Sequence, residues 1–460
     1  MHNTVKRAFL LIFVVGIFAV GAVVLAFSFF KNSEEWATHR ANAHLYSGGQ
    51  ISAAGTIYDC NGEILAQTKD SKRYYSTDSS IRKAVLHAVG DTEGFMSTGV
   101  HALFESELTG YNIVSGTYYL SKYGIGNDIN LTLDAKVCKT AYNALNGRKG
   151  TVGVYNYKTG EIICMVSTPT YDPENKPDTD TMNSDAYKAA YINKFLSASY
   201  TPGSVFKVVT SACAIENIPD IYTRTFDCDG EYEVGETEVI CNGKHGKQNF
   251  EQALNNSCNS AFAEISIELG KTKLQKTARD LGLTSSFEVD RVPLSKGTAD
   301  LSQAVDIDMG WAGIGQYTIT ANPCMMMTLM GAIANDGRAI EPYYVKSITT
   351  PKGFSAYKAS TKEADEINLN VSTAEKLQSL LRSDVVNYYG DNAFPKLEMC
   401  GKTGTAEVGD EETGDNAWFA GFSQREDFPY AIVVLIEDSS SSARTAAIPV
   451  ANQVLQSIGG

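Results

Sequence analysis

Tyr200-Thr201-Pro202-Gly203-Ser204-Val205-Phe206-Lys207-Val208-Val209-Thr210-Ser211-Ala212-Cys213-Ala214-Ile215 is the stretch on which the fold turns. Apolar and small residues occupy every side of Val205–Ile215, which predicts a buried helix, and Pro202 and Gly203 mark its start. Ser204 and Lys207 are three apart, so a hydroxyl and an amine share one helical face. A neutral lysine there can take the serine proton, provided burial and nearby cations pull its pKa down from about 10.4. The same spacing recurs at Ser80/Lys83 and Ser355/Lys358, where polar neighbours make a solvated surface the better reading.

Upstream of this helix, Gly150–Tyr157 and Glu161–Ser167 are β-rich runs separated by Lys158-Thr159-Gly160, which reads as a hairpin. Before it, Leu133, Val137, Ala141 and Leu145 follow a helical period, capped by Asp134 and closed near Gly147. The polar stretch after Ser167 is a surface loop. Downstream, Ala417–Ser423 and Tyr430–Glu437 read as strands and Thr445–Ile458 as a closing helix. Strands at both ends with mostly helices between them imply one sheet assembled from distant sequence. Residues 32 to about 130 mix short β-like runs with polar turns and read as a small α+β module. The expected organisation is a tail and apolar segment at 1–31, a smaller module at 32–147 and the main domain at 148–460.

Ala8–Phe30 holds 23 residues without a formal charge, enough to cross about 30 Å of hydrocarbon. Lys6 and Arg7 on the near side and Glu34 and Glu35 on the far side leave the N-terminus cytoplasmic and the rest outside; a cleaved signal peptide is the competing reading. The chain as a whole has an ordinary globular composition, 43% hydrophobic and 20% charged, and a net charge of −14 that argues against nucleic acid as a partner. Nine cysteines are an odd number for an exported chain. Cys228 and Cys241 flank two short alternating strands around Glu236 that can bring their sulfurs together as a disulfide. His245 follows Cys241 closely, but no fourth ligand is evident, so no metal site is expected.

Two further clusters accompany the serine helix. Ser257-Cys258-Asn259 places a hydroxyl and an amide close together in a short helical or turn segment. Lys402-Thr403-Gly404-Thr405 precedes Ala417–Ser423 and fits a strand, whereas the identical triplet at Lys158 falls in the hairpin turn. In order, the three clusters resemble the Ser-x-x-Lys, Ser-x-Asn and Lys-Thr-Gly set of penicillin-binding proteins and serine β-lactamases. Tyr200–Ser204, Gly313–Gln316 with Asn322-Pro323, Ile333–Gly337, Lys402–Glu407 and the pedestal-like Gly55–Ala66 are similar to the class B, monofunctional transpeptidase branch. Ala54 and Cys60 stand where that pedestal segment usually carries arginines.

The resemblance implies an α/β fold of α+β type, with a central antiparallel sheet flanked by helices, a pedestal and a transmembrane helix. It implies that Ser204 attacks a D-alanyl-D-alanine stem peptide while Lys207 takes its proton, with the N–H groups of Ser204 and Thr405 as oxyanion hole. Ser257 then relays a proton, Asn259 binds substrate amide, Lys402 keeps Lys207 neutral, and Thr403, Gly404 and Thr405 belong to the carboxylate-binding strand. Peptidoglycan stem peptides are the expected substrate, β-lactams the covalent inhibitors, and a polytopic membrane glycosyltransferase the partner, met through residues 8–30 and the pedestal. No cofactor is expected. Glu251, in a Glu-x-x-Leu-Asn stretch, precedes Ser257 and reads as a helix-surface acid rather than a water-activating base. Cys258 reads as a small buried filler, His245 as a loop histidine, and Trp418 as either cleft lining or packing under the sheet. The rivals are a D,D-carboxypeptidase or β-lactamase-like hydrolase, and a non-catalytic β-lactam sensor or wall scaffold.

Overall fold

The structure, a computed structural model, describes residues 2–39, 46–47, 50–51, 54–111, 126–407 and 414–459. It opens with helix α1, His2–Thr38, in which the most apolar 18-residue window of Thr4–Ser33 has a mean hydropathy of 3.0 and no buried residue. Among the described residues it is the one helix long and apolar enough to span a bilayer.

The first globular unit is built on a six-stranded sheet. Ile57–Tyr58 (β1), Ile64–Lys69 (β2), Lys72–Tyr75 (β3) and Asp128–Leu131 (β4) form four of its strands. The other two, Val345–Thr349 and Ser355–Lys358, come from far along the chain, and the order is 355–358, 345–349, β4, β1, β2, β3. Only the β1–β4 pair is parallel. Ser355–Lys358 is exposed throughout, so the Ser-x-x-Lys spacing there lies on a strand and never meets on one face. Arg73 donates to the carbonyls of Gly55 at 2.6 Å and Ala54 at 3.3 Å, while Cys60 is exposed. Arg82 pairs with Asp172 at 2.5 Å, both nearly buried, tying this unit to the loop after the hairpin.

Helix α2, Ala135–Leu145, starts where Asp134 accepts from the amides of Lys136 and Val137, and it ends with Asn146 in the left-handed conformation. The expected hairpin follows as Gly150–Asn156 (β5) and Ile162–Thr168 (β6). Met399–Ala406 (β7), Asp415–Ser423 (β8) and Tyr430–Ser439 (β9) complete a five-stranded antiparallel sheet in the order β7-β8-β9-β5-β6. Strands from both ends of the domain therefore join, as the sequence pattern implies. Ala431–Ile436 are all buried although successive residues face opposite sides, so both faces of the sheet are covered.

Helices pack on this sheet or on the helices that cover it. They are Lys207–Asn217 (α3), Phe250–Asn255 (α4), Asn259–Asp280 (α5), Pro323–Ala334 (α6), Val371–Asp384 (α7) and Ala443–Gln456 (α8). Helix α6 is buried from Pro323 to Ile333 and packs on β5, β8 and β9. Helices α2 and α8 pack together, against β6 and against β7 to β9.

Candidate active site

The Ser204 turn is shaped by two close approaches of backbone. Gly203–Phe206 forms a 3-10 turn, so α3 begins at Lys207 and Ser204 sits half-buried just before it. Gly203 has φ +53, and a Cβ there would lie 2.3 Å from the carbonyl oxygen of Thr405. A Cβ on Gly404 would lie 2.5 Å from the carbonyl of Pro202. Two glycines thus let the serine turn press against β7. The tight 3-10 start, rather than an α-helix from Val205, follows from that contact.

Lys207 is wholly buried. Its Nζ donates to the Ser257 carbonyl at 2.5 Å, the Ser257 hydroxyl at 3.1 Å and Oδ1 of Asn259 at 2.8 Å, and it lies 5.5 Å from the centre of the Phe262 ring. Burial, reinforced by the positive charge of Lys402, pulls its amine down to about 7 despite these acceptors. Ser257 has φ +50 in the tight turn joining α4 to α5, which aims both its carbonyl and its hydroxyl at Lys207. Helix α4 is secured by a capping box between Asn249 and Gln252, and α5 is capped by the Cys258 sulfur, which accepts from the amide of Ala261.

Lys402 is also wholly buried, on β7, with Nζ 3.3 Å from Oδ2 of Asp384 and 3.3 Å from the Tyr389 hydroxyl. That hydroxyl donates to Asp384 at 3.0 Å, accepts from the Thr403 amide at 2.9 Å and meets the Thr403 hydroxyl at 2.8 Å. Burial outweighs the pull of Lys402 and Tyr389 and raises the Asp384 carboxyl to about 6. Strand β7 is a sheet edge, paired only with β8. The Thr403 amide points outward to Tyr389, so by the two-residue repeat the Thr405 amide points to the same open side, toward the serine turn.

Ser204, Ser257, Asn259, Thr403 and Thr405 line one cleft of about 400 Å³, together with Tyr388 and Arg444. Lys207 and Lys402 lie beneath it. A larger cavity of about 690 Å³, between Asp290, Arg291 and Tyr357, contains none of these groups. Trp418 is buried and donates to the Thr201 carbonyl at 3.0 Å, holding the segment before Ser204 rather than lining the cleft. Glu251 is exposed and accepts from Ser383 at 2.7 Å, outside the cleft.

Asp384, Tyr389 and Arg444 are the polar groups that sequence reading misses. The first two end α7 and enter the turn after it, Val385–Gly390, and carry no motif of their own. Arg444 is visible only as a cation near the start of the closing helix.

Two expectations are corrected at the base of the Ser257 turn. The hairpin Glu231–Val234 and Thr237–Ile240 does bring Cys228 and Cys241 together, but all nine cysteines are free and no disulfide links them. A fourth donor beside them is Cys258: its sulfur, those of Cys228 and Cys241, and a ring nitrogen of His245 lie within 4.8 Å of one another. Neither a plain filler role for Cys258 nor an isolated loop position for His245 describes that gathering. Sequence reading does not find this gathering because Cys258 sits inside the Ser-x-Asn motif, where spacing from His245 carries no signal.

Residues 150–458 match the family Transpeptidase, described as "Penicillin binding protein transpeptidase domain". Among curated proteins, the chain is 26% identical over 388 residues to the peptidoglycan D,D-transpeptidase PbpA of Mycolicibacterium smegmatis, covering 78% of each. It is 27% identical over 432 residues to the stage V sporulation protein D of Bacillus subtilis, covering 86% of this chain and 65% of that one. Among solved structures, penicillin-binding protein A of M. tuberculosis as its ceftriaxone acyl-enzyme superposes with a TM-score of 0.78 at 21% identity, over 89% of this chain and 98% of that one. A D,D-transpeptidase domain from Eggerthella lenta superposes at 0.75 with 26% identity, over 88% and 97%. With residues 150–458 matched by this family model, the chain belongs to the penicillin-binding protein transpeptidase family.

Proposed function

We propose that the protein is a membrane-anchored peptidoglycan D,D-transpeptidase that works through an acyl-enzyme on Ser204. The observation that carries this reading is a buried amine near neutrality, Lys207, one turn from a cleft-facing serine and bonded to both Ser257 and Asn259. Lys207 takes the Ser204 proton as Oγ attacks the penultimate D-alanine carbonyl, and the developing oxyanion is met by the amides of Ser204 and Thr405. The peptide bond breaks, Ser257 relays the proton to the departing amine, and D-alanine leaves. The amine of a second stem peptide then attacks the ester, a cross-link forms, and its proton returns to Ser204.

Asn259 holds substrate amide, Lys402 keeps Lys207 uncharged, and Thr403, Gly404 and Thr405 hold the terminal carboxylate, with Arg444 at the cleft wall adding a cation. Glu251 accepts from Ser383 outside the cleft, which favours slow deacylation over β-lactamase turnover. We assign residues 1–31 to the tail and anchor, 32–147 to the pedestal and 148–460 to the transpeptidase domain. The anchor places the catalytic domain outside the cytoplasmic membrane and, with the pedestal, meets a polytopic glycosyltransferase that supplies glycan.

The test is penicillin labelling of the detergent-solubilised chain with peptide mapping, followed by incubation with stem peptides. A stable adduct on Ser204, absent in Ser204→Ala, and cross-linked dimers are expected. Sustained drug hydrolysis, or trimmed monomers without dimers, would instead assign a hydrolase.

A further inference from the structure

The Cys228, Cys241, His245 and Cys258 cluster has the dimensions of a closed metal site. A tetrahedral zinc ion with arms of about 2.3 Å to sulfur and about 2.0–2.1 Å to nitrogen requires edges of about 3.8 Å between sulfurs and about 3.5 Å between sulfur and nitrogen. The structure has Cys241 Sγ 3.8 Å from Cys258 Sγ, and Nδ1 of His245 3.5 Å from Cys228 Sγ and 3.6 Å from Cys241 Sγ. The three sulfurs are buried and the histidine half-buried. Backbone amides already point at the sulfurs as they would at thiolates: Asn259 donates to Cys241 at 3.2 Å and Ala261 to Cys258 at 3.4 Å.

We infer that these four residues bind one structural zinc ion, a site additional to the transpeptidase cleft. Three thiolates and one imidazole fill all four positions, so the ion has no open coordination site and no part in the chemistry. Its work is positional. Cys228, Cys241 and His245 come from the segment running from Phe226 to Gln248, whereas Cys258 lies between Ser257 and Asn259 at the head of α5. The ion joins the two, and so fixes the turn whose hydroxyl and amide hold Lys207. It also keeps exported thiols from pairing, since a Cys241–Cys258 bond would remove two ligands at once. The inference rests on the proposed function only for this positioning effect, not for metal binding itself.

The test measures zinc in the detergent-purified full chain by mass spectrometry, with release by a mercurial monitored by a zinc dye. About one zinc per chain is expected, falling below about a tenth in His245→Ala and unchanged in Cys60→Ser and in Ser204→Ala. Zinc-stripped wild-type protein is expected to react with penicillin about 10- to 100-fold more slowly and to recover on adding zinc chloride. Less than a tenth of an equivalent in wild-type protein, even after incubation with zinc chloride, would overturn the inference, as would a mapped Cys241–Cys258 disulfide in freshly purified protein. Zinc bound without any effect of stripping on penicillin labelling would overturn the positioning role. Because Ser204→Ala reports metal without acylation, failure of this site and failure of the proposed activity are told apart.

Discussion

Replacing Lys402 by methionine keeps the length of the side chain and deletes its charge, leaving Asp384 in a wholly buried place without the ammonium that lies 3.3 Å from its Oδ2. Even with Lys402 present, the carboxyl stands at about 6 rather than 3.8, equivalent to about 3 kcal/mol for holding it ionised at neutral pH. Removing one member of a buried pair costs about 3–5 kcal/mol, so Lys402→Met is expected to lose about that much at pH 8. The sign follows from the direction of the shift. A carboxyl raised in the folded state carries a penalty that is absent below its unfolded value, grows as pH rises, and is complete above its folded value. The variant raises the folded value further, so its deficit against wild type opens above about pH 6 and closes below it. Adding Asp384→Asn removes the stranded charge and is expected to restore most of the stability. It cannot restore acylation at neutral pH, because Lys207 has lost the neighbouring charge that helps keep it neutral. Denaturant unfolding at pH 5.5 and 8, with stopped-flow acylation by fluorescent penicillin, measures both effects. A deficit equal at the two pH values, or a double variant that acylates like wild type, would refute the reasoning.

Acylation by penicillin should fall about tenfold for each pH unit below about 7 and level off above it, since Lys207 must be neutral to accept the serine proton; a profile flat from pH 5.5 to 8 would exclude that base. Gly404→Ala puts a Cβ 2.5 Å from the Pro202 carbonyl and 2.8 Å from the Val205 side chain, so the strand must retreat from the nucleophile; a loss of acylation of about 100-fold is expected, and wild-type rates would contradict the packing. Arg82→Met leaves the Asp172 carboxylate without its cation between the six-stranded-sheet unit and the loop after β6 and is expected to destabilise by about 3 kcal/mol in denaturant unfolding without altering the acylation profile. Arg444→Gln should weaken capture of the carboxylate-bearing drug about tenfold while leaving the pH profile in place; an unchanged second-order rate would remove Arg444 from the binding surface.

The parts of the site that sequence reveals are those in which chemistry is packed into a few consecutive residues. Ser204 and Lys207, Ser257 and Asn259, and Lys402 to Thr405 each carry their functional groups within one turn or strand, and the structure gathers their cleft-facing members around one opening. The antiparallel sheet was legible for a related reason: Ala417–Ser423 and Tyr430–Glu437 are continuous apolar runs, as strands covered on both faces must be. Asp384 and Tyr389 were not, because a lone acid and a lone tyrosine at the end of a helix are ordinary surface residues until tertiary packing buries them beside Lys402. The fourth sulfur was hidden differently. Cys258 belongs to a motif whose flanking residues account for its presence, and only the fold brings it to Cys228, thirty residues earlier. The two strands near Val345 and Ser355 were also missed, being short, polar and surrounded by helices in sequence.

Those two strands give the molecule a mechanical character. Val345–Thr349 pairs with Asp128–Leu131 along a backbone ladder that is irregular between Val345 and Ser347, so the polypeptide leaves the six-stranded sheet, builds most of the catalytic half, returns, and leaves again. A tether crossed three times cannot swivel as a single linker does. Load passing between the two sheets is shared between these crossings rather than concentrated at one joint. A truncation before residue 345 would strip two strands from that platform and bare an edge ready to pair with another chain.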